Sequence, residues 1–286
     1  MSLFRRVSRT LTSPLRSKSG RSILQRMIVD LARLGSLDLA DIAHRTAGIG
    51  KFQSLIDSGE SYVVKSILPQ LLPNTPILFD VGANIGEYAK LLVDTFPNAA
   101  IHAFEPNPRT HATLVARIQN RCFTAVAAAV GEKEDELQLF DYPMDGTSHA
   151  SLYREVLTQI HHSTEVASRP VRVVTLDKYC REQSIPHIDF LKIDAEGHEL
   201  PALRGAKNLL NADRVGIIQF EFNEMNVISR AFLRDFYETL PKHLFYRVDS
   251  GRLISLGDYN SRNEVFRFQN ILAVHRSLNE QLNKCS

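Results

Sequence analysis

A glycine-containing turn after a short apolar run holds the first residues whose types and spacing could do chemistry. The turn reads Asp80-Val81-Gly82-Ala83-Asn84-Ile85-Gly86-Glu87, and a helical pattern follows it. Open α/β sheets bind nucleotides at this place, but a dinucleotide-binding turn would carry small residues where Asn84 and Glu87 stand. Asp80 and Glu87 instead suit a ligand that carries positive charge. A pyrophosphate is therefore disfavoured, and a ligand that carries positive charge is favoured beside Asp80.

A second candidate contact closes the next apolar run, which reads Ala103-Phe104-Glu105-Pro106-Asn107. An acid about 20 residues past a glycine turn is placed to accept both hydroxyls of a ribose. Taken alone, Glu105 could equally be a solvated acid at a strand end, but the turn before it favours the ribose. A ribose beside a site for positive charge describes S-adenosylmethionine (SAM), which has a sulfonium, an ammonium and no phosphate. We therefore expect SAM as the cofactor, with Glu105 and Pro106 among its contacts.

Acidic and basic side chains converge again at a later strand end, which reads Phe190-Leu191-Lys192-Ile193-Asp194-Ala195-Glu196-Gly197-His198-Glu199. Alternation along a strand puts Lys192 and Asp194 on one face, with Glu196 just beyond them. The candidate catalytic residues are therefore Asp194, Glu196, His198 and Lys192, with Asp194 the first choice for a general base. The alternative interpretation is a helix N-terminus whose acids are there because the helix dipole favours them.

A divalent cation is a further use for these acids. Asp194 and Glu196, together with Glu221 at the following strand end, could hold Mg²⁺ through oxygen ligands. Strand-end acids in a cofactor crevice often serve only hydrogen bonding, so metal dependence is disfavoured and no metal ligands are assigned. The three cysteines are far apart and form no CxxC motif, which argues against a cysteine zinc site and a disulfide framework and favours a reducing cytoplasm.

Hydrophobic spacing identifies the elements that must position these residues. Apolar runs at 77–81, 100–104 and 188–193 predict buried strands, and the stretches after them have helical periodicity. The alternation predicts a Rossmann-like α/β fold, with a mostly parallel sheet and helices on both faces. Further strands are predicted at 123–130, 136–142, 171–176, 215–222, 244–248 and 269–274. Residues 144–169 show no clear period and are interpreted as an insertion beside the site.

Several ordered motifs together indicate a family. They read FDVGANIGEYAKLL, AFEPNP, AAVGE, VRVVTLD, DFLKIDAEGHELPALRGA and FQNILAV, from Ile77 to Val274. In this order they resemble the FkbM-type family of SAM-dependent methyltransferases, KIDAEGHE being the most distinctive. The resemblance implies a class I methyltransferase fold with a seven-stranded sheet, and O-methylation of a sugar, glycan, polyketide or related metabolite. It also implies SAM contacts at Asp80, Gly82, Asn84, Gly86 and Glu105.

We divide the chain into a basic, flexible arm at 1–22, a helical extension at 23–72, the methyltransferase domain at 73–276 and a tail at 277–286. The net charge of +2 is small for the whole chain, but the first 29 residues hold seven basic residues and no acid. Such an arm is usually a solvated terminus, although it could also contact anionic lipid or act in targeting. No apolar run is long enough for a transmembrane helix.

Three other functions stay open. An NAD(P)-dependent oxidoreductase is disfavoured by Asn84 and Glu87. An RNA methyltransferase would use the same cofactor and the basic arm, but the segment after Ile193 lacks the Asn/Asp-Pro-Pro-aromatic motif associated with methylation of base amines. A non-catalytic SAM-binding module is the third. The expected acceptor is a small molecule or glycan, nucleic acid is disfavoured, and the sequence gives no oligomeric state.

Overall fold

The computed structural model describes residues 18–143 and 149–285, in two compact units divided between Thr46 and Ala47. The described part of the first unit, residues 18–46, forms the helices Lys18–Leu34 and Leu39–Thr46. Apolar residues of the longer helix recur every three or four positions along one face, and those of this face are more than half exposed: Ile23, Met27, Leu31 and Leu34. None of the helices described is long and apolar enough to cross a membrane.

The second unit is built on an eight-stranded sheet. The strand order is β10-β9-β11-β8-β7-β1-β2-β3. The strands of this sheet are β1 (Ile77–Val81), β2 (Ala100–Phe104), β3 (Phe123–Val126), β7 (Ile188–Ile193), β8 (Val215–Phe222), β9 (His243–Asp249), β10 (Arg252–Ser255) and β11 (Gln269–His275). The run from β3 to β8 is parallel, whereas β11 is antiparallel to both β8 and β9. The mostly parallel sheet is confirmed, and β10 extends it as an eighth strand paired only with β9.

A separate three-stranded sheet lies beside the main one. It comprises β4 (Ala129–Val130), β5 (Asp135–Asp141) and β6 (Ala167–Val174), in the order β4-β6-β5. The single strand expected at 123–130 is thus two strands that belong to different sheets. The break falls at residues 127–128. The chain therefore leaves the main sheet just beyond the point where β3 pairs with Glu105, the residue that follows β2.

Alternate residues of the central strands enter two hydrophobic clusters, one on each face. Phe79 and Leu191 belong to one cluster, and Leu78 and Phe190 to the other. Both faces are therefore covered by helices, as expected for a parallel sheet. The helices of this unit are Glu60–Tyr62, Leu68–Leu71, Glu87–Thr95, Pro108–Arg117, Leu176–Glu182, Glu199–Arg204, Lys207–Asn211, Met225–Ser229, Leu233–Thr239 and Asn279–Cys285, with π-turns at Val63–Ile67 and Val156–Ile160 and 3₁₀ turns at Ser261–Asn263 and Arg276–Leu278.

Candidate functional site

The turn after β1 is held tightly against the end of β7. Gly82 has a φ of +80°, and a Cβ there would lie 1.7 Å from the carbonyl oxygen of Asp194, so the backbones approach as only glycine allows. The Gly82 and Ala83 N–H groups both donate to the Phe104 carbonyl at 3.0 Å, and the Asp194 N–H donates to the Val81 carbonyl at 2.9 Å. The turn therefore brings the carboxyl ends of three strands to one place.

Glu105 is fixed by the backbone on both of its oxygens. Its Oε2 accepts the Asn84 N–H at 2.9 Å, and its Oε1 accepts the Asn107 N–H at 2.7 Å. Burial raises the pKa of Glu105 to about 7, while these two N–H donors act in the opposite direction. Each carboxylate oxygen keeps a further lone pair. Glu105 can therefore accept two more hydrogen bonds, as recognition of a ribose diol requires.

Lys192 is the centre of a buried polar cluster. Only 2% of its side chain is exposed, and its Nζ lies 3.0 Å from Asp194 Oδ2 and 3.5 Å from Glu60 Oε1. It also stands 5.0 Å from the centroid of the Tyr88 ring. Burial opposes its charge, but the surrounding carboxylates, Asp194 foremost, hold the pKa of Lys192 well above its ordinary value. Lys192 therefore orients Asp194.

Asp80 lies next to Lys192 across the β1–β7 pair. It is 1% exposed, and within the described residues its Oδ2 has no hydrogen-bond partner. Burial raises the pKa of Asp80 to about 7; Lys192 lowers it, and nearby carboxylates raise it further. A buried acceptor without a partner costs about 1–3 kcal/mol, so a cationic or donor group brought by a ligand would be stabilised here.

Glu60, which sequence patterns do not identify as a site residue, joins this cluster from the helical extension at 23–72. Its Oε2 accepts the Ser58 hydroxyl at 2.7 Å, and its Oε1 accepts Gln219 Nε2 at 3.4 Å. Burial is the main cause that raises the pKa of Glu60. The only local signal was an acid at the start of a helical pattern, which is common on solvated helices.

Two adjoining cavities open at this edge of the sheet. The larger, about 820 Å³, has walls from Glu105, Pro106, Glu196, His198 and Glu221 among others. The smaller, about 710 Å³, is lined by Glu60, Asp80 and Lys192, and the two share Gly82, Asn84, His149 and Asp194. Their volumes fall in the range of small-molecule sites. Gly86 lines neither cavity; a Cβ there would lie 2.6 Å from Leu114 Cδ1, so this glycine allows packing on the next helix.

The segment after β7 places its polar side chains at different depths. His198 is buried, lies 3.2 Å from the Tyr153 hydroxyl through Nδ1, and has its pKa lowered to about 4 by burial. Glu199 accepts the N–H groups of Ala195 and Gly197 at 3.0 and 3.1 Å, so it shapes the loop. Glu196 has a φ of +48° and turns towards the insertion, where its Oε1 lies 3.4 Å from His149 Nδ1.

The insertion contributes two histidines that the sequence did not connect with Glu196. The rings of His149 and His161 stack with centroids 4.3 Å apart. One potential ligand atom from each of His149, His161 and Glu196 lies within 4.8 Å of the other two, and we call these residues the His–His–Glu cluster. The cation site considered from the sequence consists of Asp194, Glu196 and Glu221. In the structure, the nitrogen donors of His149 and His161 also lie close to Glu196.

The sheet order and the site at its carboxyl edge define a class I methyltransferase fold. Residues 80–246 match the family described as "Methyltransferase FkbM domain". The chain belongs to this family, as its motifs predicted.

Proteins named as methyltransferases are among the relatives of this chain. The hexuronic acid methyltransferase AglP of Haloferax volcanii is 25% identical over 161 residues, 56% of this chain and 62% of that protein. The 2-O-methyltransferase NoeI of Sinorhizobium fredii is 24% identical over 176 residues, 57% of this chain and 70% of that protein. The O-methyltransferase from Bacillus cereus in complex with SAH has a TM-score of 0.40 and 15% identity, with 94% of this chain and 97% of that chain covered. A structural likeness of this size says nothing about the acceptor.

Proposed function

We propose that the protein is a SAM-dependent O-methyltransferase whose acceptor is a hydroxyl on a sugar, glycan, polyketide or related metabolite. The observation that carries the cofactor is Glu105, which the backbone holds by both oxygens beside a cavity of about 820 Å³. The acceptor class is supported by the names of the relatives, which include a hexuronic acid methyltransferase and a 2-O-methyltransferase. The catalytic unit we propose is residues 73–276, with Glu60 completing it.

The charges at the site support a cationic cofactor. Asp80, Asp194, Glu221 and Glu60 surround the single ammonium of Lys192, so the buried carboxylates outnumber the buried cation. The sulfonium and ammonium of SAM would supply the missing positive charge. A nicotinamide dinucleotide would instead bring a pyrophosphate to the same place, where like charges repel.

The mechanism we propose depends mainly on positioning. Bound SAM supplies an activated methyl group, so the chain must hold the acceptor oxygen in line about 3 Å from that carbon and exclude water. SAM held by Asp80 and Glu105 would supply the methyl group and leave as S-adenosylhomocysteine, and Asp194 would take the proton of the acceptor hydroxyl. Lys192 orients Asp194, while Glu196 and His198 line the cavity where the acceptor would lie.

The helical first unit supports peripheral contact with a membrane surface. Helix Lys18–Leu34 exposes Ile23, Met27, Leu31 and Leu34, and the sequence around it is basic. An apolar face next to basic residues suits an anionic lipid surface. We propose the cytoplasm as the compartment, in keeping with the free thiols of Cys122 and Cys180.

The cofactor assignment is tested by calorimetric titration of the full chain with SAM, S-adenosylhomocysteine and NADH. SAM and S-adenosylhomocysteine should bind and NADH should not. Glu105→Ala removes hydrogen bonds of charged character, about 1.5–3 kcal/mol, and should weaken SAM binding about ten- to a hundred-fold. Glu132→Ala, an exposed acid that lines neither cavity, is the matched control and should bind SAM as the wild type does. Unchanged SAM affinity in the Glu105 variant would contradict the assignment.

The acceptor class is tested with labelled SAM and cell extracts. The labelled product should be a methyl ether that survives nuclease treatment. Label in RNA that nuclease releases, together with RNA binding that is lost at moderate salt, would favour an RNA methyltransferase instead. SAM binding without label transfer to any acceptor would favour a non-catalytic module.

A further inference from the structure

The His–His–Glu cluster is assembled from three separate segments of the chain. His149 precedes the bridge residue Ser151, His161 follows the π-turn Val156–Ile160, and Glu196 follows β7 in a left-handed conformation. The Ser151 hydroxyl donates to the Glu196 carbonyl at 2.8 Å, which ties the insertion to the loop after β7. Elsewhere in residues 18–143 and 149–285, no other group of three such side chains comes this close.

Two atoms of this cluster are buried without a hydrogen-bond partner among the described residues. They are His161 Nε2 and Glu196 Oε2. Each such buried polar atom costs about 1–3 kcal/mol unless something satisfies it. A neutral imidazole keeps one ring nitrogen with a lone pair, so His149 and His161 can each offer a nitrogen to a metal ion.

We propose that His149, His161 and Glu196 form a binding site for a divalent first-row transition-metal ion. The two imidazole nitrogens and one carboxylate suit Zn²⁺, Mn²⁺ or Fe²⁺ better than Mg²⁺ or Ca²⁺, which prefer oxygen ligands throughout. Three protein ligands leave a coordination position open, as catalytic metal sites do.

The site bears on the acceptor because His149, His161 and Glu196 line the same cavity as Asp194. A metal ion there would hold the acceptor hydroxyl and lower its pKa, so that Asp194 takes the proton more easily. This second step rests on the proposed O-methyltransferase function; metal binding itself does not.

Metal binding is tested by titrating chelator-treated full-length protein with ZnCl₂, MnCl₂ and MgCl₂ in a calorimeter. We expect one Zn²⁺ or Mn²⁺ per chain and no comparable binding of Mg²⁺. His161→Asn and Glu196→Gln should each weaken binding at least about ten-fold, since even the outer partners of metal ligands are worth about 10–100-fold. The matched control is His162→Asn, at the exposed neighbour of His161, which should bind as the wild type does.

A second measurement, which begins with the wild-type protein, keeps the test informative if a variant fails to fold. Cobalt(II) added to wild-type protein should give visible absorption bands of nitrogen-ligated metal, and these bands should shift in His149→Asn. Absence of binding by the wild type, or unchanged binding in His149→Asn and Glu196→Gln, would overturn the metal site. SAM titration of the same samples is independent: SAM binding without metal binding leaves the proposed function standing, and metal binding without SAM binding overturns the function alone.

Discussion

The two ends of the main sheet carry similar side chains in opposite circumstances. At the end where the parallel strands begin, Lys242 lies 2.7 Å from Asp213, with both side chains about half exposed, and Asp189 Oδ2 accepts the Ile77 N–H at 2.8 Å. At the carboxyl end, Lys192 is surrounded by several carboxylates and is fully buried. The same residue types thus form a half-exposed pair at one end and a mostly buried cluster at the other.

This difference separates what stabilises the fold from what serves the site. Exposed pairs cost little and contribute little. Buried carboxylates in excess of cations oppose folding because burial disfavours their charged form. This is also the main cause that raises the pKa of Asp80 to about 7. Such an arrangement is retained where a ligand of opposite charge completes it, so variants at the two ends should fail in different ways.

The largest contrast is expected between two acids at opposite ends of β7. Asp194→Asn keeps the shape and removes the charge, so turnover should fall about 10²–10⁴-fold while SAM still binds. Asp189→Asn, at the start of the strand, should lower stability slightly and leave turnover alone. Methyl transfer to a common acceptor, with SAM affinity measured separately, distinguishes the two. Wild-type turnover in Asp194→Asn would exclude Asp194 as the base.

Two lysine variants compare the ends directly in stability. Lys192→Met leaves the buried Glu60 and the partly exposed Asp194 without their cation and should reduce the free energy of unfolding by about 3–5 kcal/mol. Lys242→Met removes one partner of a half-exposed pair and should cost under about 1 kcal/mol. Urea unfolding of both variants gives the two values. Equal losses would mean that the buried cluster is no more important to the fold than the surface pair.

His243, at the end where the strands begin, should contribute to the acid dependence of stability. Burial lowers the pKa of His243 to about 4, so the unfolded chain binds this proton first as the pH falls. Its contribution to stability is complete above about pH 6.5 and is lost as the pH falls through 6.5 towards 4, about 3 kcal/mol in all. His243→Gln should flatten this part of the profile. Unfolding free energies at pH 7 and 4.5 check the expectation; identical slopes for variant and wild type would contradict it.

The smallest effect is expected from the start of the chain. Residues Met1 to Gly20 precede every strand. Their deletion should therefore change the free energy of unfolding and the free energy of SAM binding by no more than about 0.5 kcal/mol each. The same deletion removes most of the basic residues of the N-terminal arm. It should weaken co-sedimentation of the protein with anionic vesicles, while neutral vesicles should bind neither form. A large loss of thermal stability would show that the arm packs as part of the fold.

Local patterns predicted the features that depend on local sequence. The buried parallel strands are short apolar runs, and the Gly82 turn has a conformation that few residues other than glycine adopt, so both could be found from spacing. Glu60 and His161 could not, because nothing near them in the sequence marks the partners that they meet across the fold. Residues 123–130 were joined into one strand because periodicity cannot report that a chain changes sheets.

The position of Glu60 also bears on how the chain is made. Gln219, which donates to it, lies 159 residues further along the chain, and the Gly50 N–H pairs with the Phe268 carbonyl later still. At about 5–20 residues per second, a ribosome needs on the order of ten seconds or more to deliver these partners after Glu60 has emerged. During translation the carboxylate of Glu60 is therefore solvated. The cluster around Lys192 is completed only after the C-terminal strands have been synthesised.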